Sequence, residues 1–297
     1  MAVAGGFTAF VARYTTAGAL DSTFGTGGIV TLSDINGPPQ SGVAIQPDGK
    51  ILVANHNLFR LLSNGQFDTS FGSNGGAFTA GYPATGLAVL ANGEILVFSS
   101  AAASGFLSQY QSNGALDTTF GIGGQLATPG TAVALVLPGN GDFVAGGTLI
   151  NNSIRGSNGS AGSGFAVSRY LAPGIADGSF GTNGGTVTSV PNFFTVATSG
   201  LAVQPSGDIV VVGTASQNIT AAFALARYTT SGQLDTTFGS NGTVVTSFGS
   251  GFMMPSVSAN GLTIQADGKI VVVGGYSVSV PRHGFDTAFK VIRYLGQ

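Results

Sequence analysis

The sequence predicts an all-β fold: a single β-propeller domain over residues 1–297, of five blades with four antiparallel strands each, closed by the N-terminal strand near residues 28–32. Three recurrences predict it. The first is a turn, Leu20-Asp21-Ser22-Thr23-Phe24-Gly25, which returns around Asp68, Asp117, Asp177 and Asp235 at spacings of 47, 49, 60 and 58 residues. The second is a hairpin, seen in Val43-Ala44-Ile45-Gln46-Pro47-Asp48-Gly49-Lys50-Ile51-Leu52-Val53 and again around Gly93, Gly141, Gly207 and Gly268. Glycine supplies the positive φ of a tight turn, so the apolar runs on either side read as antiparallel strands. The third is a strand ending in Arg-Tyr at Arg13-Tyr14, Arg169-Tyr170, Arg227-Tyr228 and Arg293-Tyr294, degraded to Arg60-Leu61 and Gln109-Tyr110.

Each repeat offers four short strands, A to D, which in the first full copy fall near residues 42–46, 50–54, 58–62 and 76–80. Strand B is almost wholly apolar (Ile51-Leu52-Val53-Ala54, Ile209-Val210-Val211-Val212, Ile270-Val271-Val272-Val273), as a strand covered on both faces requires. Strand D alternates, as in Thr243-Val244-Val245-Thr246, which suits a half-exposed outer edge. The frequency of Gly and of β-branched residues excludes long helices. Counting strand types gives five A, five B, five D and six C, the extra C being Ala9 to Tyr14. If the D strand near 28–32 completes the blade whose A, B and C strands are C-terminal, Asp21 meets Arg293, and Arg13 with its strand is surplus. Val3-Ala4-Gly5-Gly6 reads as the tail of a further strand B, as in a piece cut from a longer array.

These motifs resemble the delta-60 repeat family, of the DUF5122 type, whose consensus pairs a Gln-Pro-Asp-Gly-Lys-Ile hairpin with an Arg-Tyr strand and a Leu-Asp-Thr-Thr-Phe-Gly turn. The resemblance runs from about residue 3 to 295, with departures at Leu61, Gln109, Ala176 and Gly178. It implies a propeller typical of bacterial, exported or surface-associated proteins, hence an extracellular or cell-surface location, and it brings no catalytic residue set.

Composition narrows the partners. Only 7% of the residues are charged and the net charge is -2, with ten Lys and Arg scattered singly. No basic stripe tracks a phosphate backbone, so nucleic acid is not an expected partner, nor is an anionic membrane surface. No run approaches 18 apolar residues, no membrane insertion is expected, and the first residues lack the basic and apolar segments of a signal peptide. Cysteine does not occur, which excludes disulfides and thiolate chemistry.

With so few charges, each is assignable. The strand C Arg or Gln precedes the turn Asp by eight residues in all five copies, predicting a partly buried ion pair that fixes geometry. A ring of single aspartates one blade apart does not make the dense oxygen shell of a Ca²⁺ site, so no metal and no cofactor is expected. Asp48, Glu94, Asp142, Asp208 and Asp267 belong to hairpin turns. Outside the pattern stand His56, Asp34, and a group in the last B–C connection: Arg282, His283, Asp286 and Lys290. Arg155, in an Asn-, Gly- and Ser-rich stretch from Thr148 to Gly164, completes the candidate binding loops. Their bland reading is a solvated surface; their functional reading is a binding loop, or an acid and base in a cleft. Off-pattern aromatics such as Tyr82, Phe193, Phe194, Phe252 and Tyr276 could stack on a sugar or peptide.

The leading expectation is therefore a non-enzymatic binding or scaffolding propeller that presents loops to a protein or glycan. A propeller lyase or hydrolase with its site at the funnel, and a structural segment of a larger surface or adhesin array, are the alternatives.

Overall fold

The computed structural model describes residues 9–32, 42–55, 57–79, 84–101, 104–136, 142–155, 161–218, 220–248, 256–280 and 284–296. Among them no helix occurs and every sheet is antiparallel, as a β-propeller requires. The chain divides into two compact units, Met1–Ala127 and Thr128–Gln297.

In the first unit β1 (Ala9–Ala12) pairs with β2 (Ile29–Leu32). One blade follows in β3 (Gly42–Ile45), β4 (Ile51–Ala54), β5 (Asn57–Leu61) and β6 (Gly76–Phe78). The next is β7 (Ala84–Val89), β8 (Ile95–Ala101), β9 (Ser104–Tyr110) and β10 (Gln125–Thr128). Strand B is interior as its sequence demands, all four residues of β4 being buried. Leu52, Ala54 and Leu58 of one blade share a core with Ile95, Val97 and Tyr110 of the next, so consecutive repeats bury each other's faces.

In the second unit β11 (Thr131–Val136), β12 (Phe143–Arg155), β13 (Ala161–Leu171) and β15 (Gly185–Thr188) form a blade to which β14 (Ile175–Ala176) adds a two-residue pairing. Then come β16 (Thr195–Val203), β17 (Ile209–Gln217), β18 (Thr220–Tyr228) and β19 (Thr243–Ser247). The last blade has, among the described residues, three strands, β20 (Ser256–Ile264), β21 (Ile270–Val280) and β22 (Gly284–Tyr294). Four A strands carry one extra residue, at Ala84/Gly86, Ala132/Ala134, Thr198/Gly200 and Ala259/Gly261, a recurrent β-bulge.

Two expectations are corrected. The strand near 28–32 does not complete the C-terminal blade: Ile29–Leu32 pairs residue for residue with Ala12–Ala9, and Asp21 binds Arg13 rather than Arg293. The local connection sets this register, since the Arg13 amide donates to the Gly28 carbonyl and the Asp21 amide to the Arg13 carbonyl, as in the later repeats. The first C strand is accordingly in use, with Val11 buried against Val30, Val53 and Leu61. Second, residues 148–155 and 161–164 are not an irregular loop but lengthen the β12–β13 hairpin, Arg155 standing opposite Ala161.

Candidate binding surface

The repeat's charged residues form a latch between consecutive blades. Four strand C arginines each donate Nε to the turn aspartate of their own repeat: Arg13 to Asp21 at 2.9 Å, Arg60 to Asp68 at 2.8 Å, Arg169 to Asp177 at 2.6 Å, Arg227 to Asp235 at 2.7 Å. Its Nη1 crosses to a backbone carbonyl just past strand C of the following blade, on Ser63, Ser112, Thr230 and Gly296 in turn. Its Nη2 reaches the Ser or Thr two residues after the aspartate, and its guanidinium lies 4.5 to 4.9 Å from the centroid of the turn phenylalanine, Phe24, Phe71, Phe180 or Phe238. The turn answers with its own donor: the amides of Gly25, Gly72 and Gly181 bond the Asn64, Asn113 and Ser231 carbonyls of the next blade.

These aspartates are held well below the ordinary carboxylate range. The Ser or Thr hydroxyl that each accepts is the largest cause, and its arginine adds to it. Asp68, which also accepts from Lys50, falls to about 2. Such groups are acceptors fixed in the ionised form, committed to the joint between blades.

Gln109 marks the copy without this arm. It donates to Glu94 at 2.6 Å instead, and Asp117 is capped by the Thr119 amide and hydroxyl. Among the described residues no cation pairs with Asp117.

Of the sequence candidates, Arg282, His283, His56 and Asp34 lie outside the described residues. Asp286 and Arg155 fall in strands, opposite Val278 and Ala161; the structure describes nothing of their side chains. Lys290 is not in a loop either. It sits mid-strand in β22, its ammonium 5.2 Å from the centroid of the Tyr276 ring, which continues through Phe248 to Phe223. Lys290 and Tyr276 thus support the inner face of the last blade. Phe193 packs against the core of its unit; Tyr82 and Phe252 lie outside the described residues.

The surface that stands out is the opposite face of that blade. Phe289 and Val291 of β22 are 70% and 60% exposed, whereas their counterparts Phe223 and Leu225 in β18 are fully buried. What buries the counterparts is visible. The Phe165 ring lies 2.9 Å from where a Cβ on Gly213 would be, and the Phe223 ring 2.3 Å from where one on Gly274 would be, so each ring fills a notch that only glycine leaves in strand B of the next blade. Phe289 is the same knob without a notch. Beside it runs a groove of about 320 Å³ floored by Gly275 and walled by Ser256, Ser258, Ser277 and Thr287. The outer edge of β22 has no D strand among the described residues, and no carboxylate there pairs with the exposed Arg293. Phe289 occupies the repeat position at which Phe165 and Phe223 are fully buried.

The family model for the domain of unknown function DUF5122, a β-propeller, matches residues 204–238 and 265–295. These two stretches are similar to repeats of that family. Both matched stretches span a hairpin and a strand C, the first with the Arg227–Asp235 pair and the second with β22. Among solved structures, the chain resembles a protein of unknown function from Dyadobacter fermentans, with 12% identity, 84% of this chain and 78% of the other covered, and a TM-score of 0.46. It also resembles a protein of unknown function from Bacteroides caccae (14% identity, 73% and 76% covered, TM-score 0.35). A third is a calcium-binding protein, regucalcin, from Agrobacterium tumefaciens (16% identity, 83% and 72% covered, TM-score 0.30). Likeness at this level says nothing of ligand or activity. No curated protein sequence matches.

Proposed function

We propose that this chain is a non-enzymatic binding module, a DUF5122 β-propeller that engages its partner through the outward face and edge of β20–β22. One observation carries the reading. A strand face built to core specification, with Phe289 and Val291 on one side of β22, is exposed to solvent while their counterparts Phe223 and Leu225 in β18 are fully buried. Exposed apolar surface of this kind, rimmed by serine and threonine, is the mark of an interaction site. The turn aspartates, fixed as ionised acceptors in the latches, are unsuited to proton transfer near neutral pH.

A glycan is the second reading, favoured by the groove in which an exposed aromatic ring stands among hydroxyls, an arrangement that suits stacking and hydrogen bonding to a sugar. Hydrogen exchange of the full chain against panels of peptides and oligosaccharides tests both. A true ligand is expected to slow exchange at residues 287–293 and to lose at least tenfold in affinity on Phe289→Ser. A ligand that protects other segments and leaves β22 unchanged, or a substrate that the chain turns over, overturns the reading.

A further inference from the structure

We propose that the joint between the β3–β6 and β7–β10 blades is a binding site for a neutral sugar ring, with the Gln46 side-chain carbonyl as its buried acceptor and Lys50 as its donor. This site does not depend on the β22 face.

A cleft of about 430 Å³ lies at this joint, wholly within the first compact unit. Gln46, Pro47, Asp48 and Lys50 line it on one blade, Gly93 and Ser112 on the next. Its volume falls in the ~300–1,000 Å³ range of small-ligand sites. Gln46 is only 8% exposed, and its Oε1 is buried with no hydrogen-bond partner among the described residues. Such an acceptor is costly to leave unpaired, and a ligand that donates to it removes the cost. Gln204 holds the same place before β17, where its Nε2 donates to the Gly268 carbonyl at 3.0 Å and reaches that of Gly296. Gly93 and Ser112 are the counterparts of those two: the glycine of the next hairpin, and the carbonyl that receives the strand C arginine. The Gln204 Oε1 is buried and unpaired as well, so the acceptor belongs to the repeat. What the first joint adds is room beside it and a lysine.

Charge decides the ligand's chemistry. Lys50 Nζ stands 3.3 Å from both Asp48 Oδ2 and Asp68 Oδ2, longer than the roughly 2.8 Å of a direct charge-assisted hydrogen bond, so it has protons to spare. Lys50 and Arg60 balance Asp48 and the Asp68 that both of them hold. An anion meets the Gln46 carbonyl and Asp48; a cation meets Lys50 and Arg60. A hydroxyl suits both sides, since one donates to the carbonyl oxygen while its neighbour accepts from the ammonium. Adjacent hydroxyls on a sugar ring present that pair, and the exposed Pro47 offers an apolar face to the ring's C–H groups.

Saturation-transfer NMR on the full chain tests this, with glucose, galactose and mannose, their methyl glycosides, and glucosamine and glucuronate as charged probes. At least one neutral hexose is expected to bind in the millimolar range or tighter, and the charged probes about tenfold more weakly. Binding of the methyl glycoside names a glycan end as the source, and binding of the free hexose alone names a free sugar; either supports the site. Gln46→Met removes the acceptor at similar length and should weaken binding about tenfold, while the melting temperature holds, because Oε1 has no bond to lose. Gln204→Met breaks the bond to Gly268, and should lower the melting temperature and leave hexose binding as it is. Phe289→Ser should also leave it unchanged, so a sugar at this joint and a partner at β22 are read apart. No transfer at tens of millimolar hexose, a preference for the charged probes, or binding indifferent to Gln46→Met overturns the proposal. A Gln46→Met chain that melts well below the parent overturns it too, because the amide is then a structural tie between the blades.

Discussion

At the scale of single residues, arginine does more than its sequence position announces. The constant eight-residue spacing made the pairing to aspartate legible, but not the second hand laid on the next blade, because the carbonyls on Ser112 and Gly296 lie 52 and 69 residues away in sequence. Arg227 and Asp235 have side chains 7% and 14% exposed, so Arg227→Met strands a desolvated carboxylate. That change is expected to cost about 3 kcal/mol. Arg13→Met, acting on a pair 32% and 25% exposed, should cost clearly less than Arg227→Met. Denaturant titration of both variants measures the difference. Acid should act through the same turns. The folded pKa of Asp68 is about 2 against an ordinary value of 3.8, so its contribution is complete above pH 4 and fades as pH falls toward 2. That contribution is about 2 kcal/mol. Asp21, Asp177 and Asp235 shift in the same sense. Asp68→Asn should flatten the fall in melting temperature between pH 4 and pH 2; an unchanged slope would assign acid lability elsewhere.

Elements were legible where local chemistry decides them. The Gly-centred hairpins, the apolar B strands and the alternating D strands lie where their residues put them, because turn geometry and burial on both faces leave few alternatives. The Asn-, Gly- and Ser-rich stretch after Thr148 was not legible, since nothing in its composition announces that it extends a hairpin; pairing with a partner strand overrides weak propensity. Bulges in the A strands were equally silent. Within the turn, glycine's role divides by surroundings. A Cβ on Gly72, at φ +52°, would lie 2.1 Å from the Gly76 carbonyl oxygen, whereas one on Gly27, at φ +61°, would meet nothing within 4 Å. Gly72→Ala should cost about 3 kcal/mol and Gly27→Ala about 1 kcal/mol, the first adding a backbone clash to the conformational strain both share. Thermal melts of the pair check this; equal losses would mean the turn yields without the glycine.

Across the whole molecule, the repeat explains its own irregularities. Among the described residues six C strands stand against five D strands, as the sequence count has it, and β1, not β22, pairs with the D strand near 28–32. Sequence could register the surplus and not its place, because a local connection decides which C strand a D strand joins. The charged residues singled out for standing apart from the pattern are strand members or lie outside the described residues, while the exposed surface of β22 consists of pattern residues. The central claim is that β22 presents an uncovered, unpaired strand built like the buried β18. Hydrogen–deuterium exchange on the chain alone tests it directly, by comparing the outward-facing amides of Thr287 to Arg293 with those of Ala221 to Arg227. The account predicts exchange at least a hundredfold faster in β22; protection equal to that of β18 would show the edge already covered and contradict it.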